Sequence, residues 1–166
     1  MEQLLGILID YWPFWVGLAV FAAVMMLLRM YAVPPAMPYY KRKSLVTKSE
    51  LRFFKALQKA VLDEWEIFAM VRIADLIRVE KGNVQGRKWL NKILAKHIDF
   101  VLCDPQSLEP VLAIELDDVS HQRADRIERD KFVNEAMDAA ELPLLRIPVE
   151  DGYSAREVKD LIDELL

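Results

Sequence analysis

One cysteine and two histidines are all that this chain carries of those side chains. A lone thiol makes no internal disulfide, and so few ligands cannot close a Cys/His zinc site, which excludes a disulfide-stapled secreted scaffold and a zinc finger. Glycine is scarce at 5 and proline reaches only 8, so the chain is neither collagenous nor a disordered linker. Basic charge is in deficit, with 22 Lys and Arg against 26 Asp and Glu and a net charge of −4. That argues against a broad cationic coat for nucleic acid. A phosphate cradle is missing as well, because GNVQG at 82–86 lacks the Lys-Ser/Thr ending and following helix of a nucleotide loop. With 166 residues, 54% of them hydrophobic, what remains is a folded protein with one domain of ordinary size and a little over.

The average hides two different polymers. Residues 11–28, YWPFWVGLAVFAAVMMLL, contain no charged side chain, and at about 1.5 Å per residue they give roughly 27 Å of helix, close to the thickness of a hydrocarbon core. Arg29 can snorkel and extend the span to Tyr31. Tyr11, Trp12, Phe14 and Trp15 crowd one end, and Tyr31, Tyr39 and Tyr40 follow the other, as expected of interfacial aromatic belts. A cleaved signal peptide needs a basic start, yet only Glu2 and Asp10 are charged before the span. A buried or surface-lying helix needs a polar face, and this stretch has none. Residues 1–31 therefore read as a membrane anchor with a transmembrane helix at 11–31. Arg29, Lys41, Arg42 and Lys43 all follow the span, so the C-terminal side is expected in the cytoplasm and the N-terminus outside. Residues 32–43, with Pro34, Pro35 and Pro38 and a basic end, read as an extended linker.

The remainder, 44–166, carries 18 basic against 24 acidic side chains, since four of the 22 bases and two of the 26 acids precede it. Its pattern predicts α-β-β-β-α-β-α. Thr47 and Glu50 form a capping box before Leu51, Phe54, Leu57 and Val61, with Val46 and Leu51 placed as a hydrophobic staple. Alternation from Trp65 to Ile73 gives a first strand running on as far as Leu76, and 78–96 reads as a loop with a short helix near Trp89. Ile98–Cys103 and Val111–Leu116 form an antiparallel hairpin about a turn at PQSLEP. A long helix over 122–141 presents Val133, Ala136, Met137 and Ala140, Leu144–Ile147 is a fourth strand, and a box of Ser154 and Glu157 opens a last helix with Val158, Leu161, Ile162 and Leu165.

Within the hairpin the acids are conspicuous. Glu115 and Asp117 are two apart and share a strand face, while Asp99 lies on the preceding strand. Paired strands would bring three carboxylates to one sheet edge, and such oxygens suit Mg²⁺ or Mn²⁺, which can polarise a phosphodiester and activate water. Glu115 is the most telling, because an unpaired carboxylate within an apolar strand is costly. Asp118 should face the other way and cap a helix. His121, four residues past Asp117, is a candidate proton carrier or ligand.

AKHIDFVLCD, AIELDDVSH, the RD of the following helix and LPLLRI together resemble a bacterial domain family of unknown function in the PD-(D/E)XK, restriction-endonuclease-like superfamily, similar to very short patch repair endonucleases. The resemblance covers about 45–166. It implies an α/β fold with a restriction-endonuclease-like core, a mixed central sheet flanked by helices, and the inner membrane of a bacterium as the anchoring bilayer. Asp99 and Glu115 fall on the superfamily's two acidic metal positions, whereas Asp117 stands where its motif has lysine. Lys96, His121 and Lys131 are candidates to replace that lysine, and Glu50 matches a helix-one glutamate that some members bring to the metal, although the capping box accounts for it equally.

Nucleic-acid contact is expected from Arg87, Lys88, Lys92 and Lys96 around Trp89, or from Arg123, Arg126 and Arg129. The bland readings are helix-surface pairs of Arg126 with Asp130 and Asp125 with Arg129, and a core position for Trp89. The expected function is a membrane-anchored, cytoplasmic-facing, metal-dependent nuclease-like domain with Asp99, Glu115, Asp117, His121 and Glu50 at its centre. The alternative is an inactive nuclease-fold module that binds nucleic acid or protein at the membrane; no particular protein partner is indicated.

Overall fold

A computed structural model of the chain describes residues 11–31, 37–117 and 124–166, with the backbone alone at 124–127. It divides into two compact units, residues 1–41 and 42–166. The described part of the first is helix α1 (Trp12–Tyr31), 20 residues with no side chain buried and an 18-residue stretch of mean hydropathy 1.9, long and apolar enough to cross a membrane. Pro13 falls in its first turn, where a missing backbone donor costs little.

The second unit is a mixed α/β layer structure. In chain order its elements are α2 (Lys48–Val61), β1 (Glu66–Arg72), α3 (Ile73–Leu76), α4 (Gly86–Leu94), β2 (His97–Cys103), β3 (Pro110–Asp117), α5 (Ala124–Ala139), β4 (Leu144–Pro148) and α6 (Ala155–Asp163). The strands lie in sequence order. The first three are antiparallel, whereas β3 and β4, joined across α5, run parallel. A dozen or more residues are needed to return a chain parallel to its predecessor, and the long helix supplies them.

Each face of the sheet is covered. Phe53, Leu57 and Val61 of α2 and Val158 and Ile162 of α6 pack on Phe100, Leu102, Leu112 and Ile114. Ile73, Ile93, Val133 and Met137, from α3, α4 and α5, pack on Val101, Cys103 and Ala113. Full burial of a side chain such as Phe53 or Leu57, both 0% exposed, is worth roughly 1.5–3 kcal/mol each.

The capping box holds: the Thr47 hydroxyl accepts from the Glu50 N–H at 3.3 Å, and Glu50 Oε2 accepts from the Thr47 N–H at 2.8 Å. Val46 packs against the core, but Leu51 is 40% exposed, and Phe53 and Ala56 take the buried stripe with Leu57. The first strand ends at Arg72, and 73–76 turn into α3 as the Ile73 N–H reaches the Lys96 carbonyl at 2.9 Å. A helix does follow GNVQG, though no Lys-Ser/Thr ending comes with it. Of the predicted apolar stripes, Ala140, Leu161 and Leu165 are exposed, because Val133 and Met137 on α5 and Val158 and Ile162 on α6 already fill the contact. At Ser154 one half of the predicted box is present, the hydroxyl accepting from Glu157 N–H at 3.5 Å.

Candidate functional site: a carboxylate row held by an arginine

The acidic site forms where the sheet departs from regularity. β2 and β3 pair from Leu102↔Leu112 to Phe100↔Ile114, and continuing that register sets Asp99 opposite Glu115. Glu115 is in turn the partner of Arg146 on β4. On the other side, Met70 of β1 lies between the pairs Ala69↔Phe100 and Val71↔Ile98, and so faces Asp99. One transverse row thus reads Met70, Asp99, Glu115, Arg146.

Met70 has φ 57, a left-handed conformation that side chains with a Cβ rarely adopt within a strand. Its consequence is a change of face: Ile67 and Ala69 pack with the first core cluster and Val71 with the second, and likewise Phe100 with the first and Ile98 with the second. Asp99 sits at that crossover, where its Oδ2 accepts the Leu116 N–H at 2.9 Å. The carboxylate so takes up a backbone donor beyond the last paired residues of β2 and β3.

Burial is the main force raising the Asp99 carboxyl above its ordinary value; the Leu116 hydrogen bond opposes it, and the charges of Glu50 and Asp117 add to it. Glu115, whose side chain is 14% exposed, is pushed up to about 7, first by burial and then by Asp99 and Asp117, with Arg146 and Arg129 pulling the other way without overcoming them. Glu50 is half-buried, caps α2 through the Thr47 N–H, and adds its charge to those that raise Asp99.

Arg146 is the residue that the sequence reading passed over. Its Nη1 lies 3.1 Å from Glu115 Oε2 and donates to Asp117 Oδ1 at 2.8 Å and Oδ2 at 3.1 Å. Its Nε donates to Asn134 Oδ1 of α5 at 3.0 Å, and Nη2 is buried with no hydrogen-bond partner among the described residues. An arginine within the short apolar run LPLLRI was itself a signal, since a guanidinium carried into a packed strand needs a carboxylate beside it. Carboxylate oxygens suit Mg²⁺ or Mn²⁺ by their chemistry. Their arrangement does not fit such an ion as it stands: among the described residues no three His, Cys, Asp or Glu side chains are gathered to hold a metal, and the Arg146 guanidinium bridges two of the candidates.

The other expected site residues are scattered. His121, Asp118 and Arg123 lie outside the described residues, and so do the side chains of Asp125 and Arg126. Arg129 pairs with its neighbour Asp130 at 3.4 Å, and Lys131 with Glu135 at 3.8 Å. On α4, Arg87 and Lys88 are exposed, but the Lys92 ammonium lies 4.7 Å from the Trp89 ring centre and 4.9 Å from that of Phe132, and Lys96 lies 5.5 Å from Phe132. Trp89 is not a core residue: it is 40% exposed, because α4 turns Ile93 inward instead.

Residues 42–165 match the family model described as a protein of unknown function, DUF2726. The chain belongs to the DUF2726 family. No curated protein and no solved structure matches it. The family match begins beside the border of the second unit, so the whole carboxylate row lies within the DUF2726 domain and α1 precedes it.

Proposed function

We propose that this chain is a membrane-anchored nuclease-like protein, in which a PD-(D/E)XK, restriction-endonuclease-like domain faces the cytoplasm of a bacterium and hydrolyses phosphodiesters of DNA or RNA with Mg²⁺ or Mn²⁺. The cation would be held by Asp99, Glu115 and Asp117, with His121 and Glu50 beside them. The observation that carries the reading is the placement of Asp99 and Glu115 on neighbouring strands with Glu115 pushed up to about 7. Desolvated like charges are costly to assemble, and that cost is typical of sites built to bind or react. The mixed sheet between helices supports the same reading, as does α1 with its basic residues on the C-terminal side for orientation.

A second reading has its own support. Asp117 at the motif's lysine position, and Arg146 bridging Glu115 and Asp117, favour a fold that has lost catalysis and binds nucleic acid or protein at the membrane. One experiment separates the two. The full chain in mild detergent is incubated with Mn²⁺ and labelled single- and double-stranded DNA and RNA. Cleavage that disappears in Glu115→Ala supports the nuclease. Affinity that falls steeply with salt, without turnover, supports the binding module. Neither cleavage nor binding refutes both.

A further inference from the structure

The acidic balance of the domain is not evenly spread. Residues 78–96 carry six bases, Arg78, Lys81, Arg87, Lys88, Lys92 and Lys96, against the single acid Glu80, which leaves 12 bases against 23 acids in the rest of 44–166. None of those six forms a salt bridge among the described residues. At the centre of the segment α4 buries only Ile93. Trp89, Leu90 and Leu94 are 39–40% exposed, and Val84, in the turn before the helix, is fully exposed. A short stretch that presents leucines, a tryptophan and lysines together has the composition of one lying in a membrane interface, where apolar groups enter the headgroup boundary and bases meet lipid phosphates. A nucleic-acid backbone would satisfy the bases but would give the valine and leucines nothing to bury against.

We propose that residues 78–96 dock the domain on an anionic lipid surface, with Val84, Trp89, Leu90 and Leu94 entering the headgroup boundary and the six bases meeting lipid phosphates. This rests on the reading above only for the anchor that supplies the membrane, and not on catalysis. The 12 residues of the linker, 32–43, span at most about 43 Å. The segment therefore meets a bilayer crossed by α1 from a tether, at an effective concentration far above that of a free protein. Six bases are within the range of about four to eight found in clusters that bind acidic lipids beside a transmembrane helix. The acidic remainder of the domain is repelled by the same surface, so attraction and repulsion together select one side to face the lipid.

The test uses the full chain with Val84→Cys carrying an environment-sensitive dye. The one native thiol, Cys103, is buried, and the wild type treated with the dye gives the background. The chain is reconstituted into vesicles of phosphatidylcholine alone, or of equal parts phosphatidylcholine and phosphatidylglycerol, with the same lipids in both leaflets. Emission in the anionic vesicles is expected to rise and shift to the blue relative to the neutral ones, and to revert at high salt. Arg87→Glu with Lys88→Glu, both at exposed positions, should lower the ratio of docked to undocked domain by at least about tenfold, since each base near such a surface contributes about a factor of five. Lys55→Glu with Lys59→Glu, also exposed but on α2, makes the same charge change elsewhere and should leave the emission as it was. Equal emission in the two lipids overturns the proposal, as does a loss as complete with the α2 pair as with the α4 pair. The comparison of lipids needs no charge variant, so a reversal that fails to fold still leaves the proposal decided. A dye that ignores anionic lipid but responds to added DNA or RNA overturns it too, and makes the segment a nucleic-acid contact. Anchoring is read separately, by flotation with the phosphatidylcholine vesicles. A chain that does not float with them removes the anchored reading, while a dye response to anionic vesicles still upholds the docking of the segment.

Discussion

Replacing Glu115 by Gln removes a carboxyl group that the fold moves from 4.5 to about 7. An acid raised in the folded state holds its proton more tightly there than in the unfolded chain. Its favourable contribution is therefore complete below pH 4.5, is lost as pH rises toward 7, and changes no further above that. At about 1.4 kcal/mol per unit, the shift corresponds to about 3 kcal/mol across the window. Burial is the leading cause, and the Arg146 contact works against it, so the sign of the pH effect reports which of the two is stronger. The assay is urea unfolding of the full chain in mild detergent with a chelator present, followed by pulse proteolysis between pH 4.5 and 8. The Glu115→Gln variant should gain on the wild type by about 3 kcal/mol from the acidic to the alkaline end. Effects of groups that do not interact with Glu115 are largely shared by the two proteins and drop out of the comparison, whereas its repulsion with Asp99 and Asp117 is part of what the difference reads. A gap that stays constant, or one that favours the wild type as pH rises, would mean that the ion pair with Arg146 outweighs desolvation, and the reasoning about a costly carboxylate row would be wrong.

Two further outcomes follow from particular residues. Met70→Val should destabilise the second unit by about 1–3 kcal/mol more than Met70→Gly in the same urea assay, because φ 57 suits glycine and strains a β-branched side chain; equal effects would remove the strained crossover from the account of the site. Phe21→Lys, in the middle of α1, should cost about 2.5–3.5 kcal/mol of insertion and shift the chain out of the carbonate-resistant membrane fraction, whereas full retention would show that α1 is not what anchors it.

Most of the elements were legible because their signals are local. Thr47 with Glu50, the apolar runs around the PQSLEP turn, and the uncharged stretch of α1 each depend on a few adjacent residues, and each is found in its expected place. Leu51 and Trp89 were misplaced for a related reason. Periodicity shows that an apolar face exists, but the neighbours decide which of its residues are covered, and Phe53 and Ile93 took the inward positions. β1 ends at Arg72 and 73–76 form α3, which the alternation of the sequence does not announce, and Met70's left-handed backbone leaves no mark in a sequence that puts methionine there.

The site was half legible, and the missing half changes its chemistry. Two-residue spacing brings Glu115 and Asp117 to one face, and strand pairing adds Asp99, but the partner that matters most arrives through the parallel return to β4, which aligns Arg146 with Glu115. On the nuclease-like reading proposed above a lysine would be expected at 117; this chain has an acid there and carries its positive charge one strand over, at Arg146, whose Nη1 contacts Glu115 and Asp117. The exchange is not equivalent. A lysine can be brought to neutrality and accept a proton, whereas a guanidinium stays charged. Arg146 can therefore balance negative charge or hold an anion, and it cannot act as a base. If the row hydrolyses a phosphodiester, the proton of the attacking water has to go to a group other than Arg146, and Glu115 cannot be that group while it holds the cation, because a bound divalent ion keeps its carboxylate ionised.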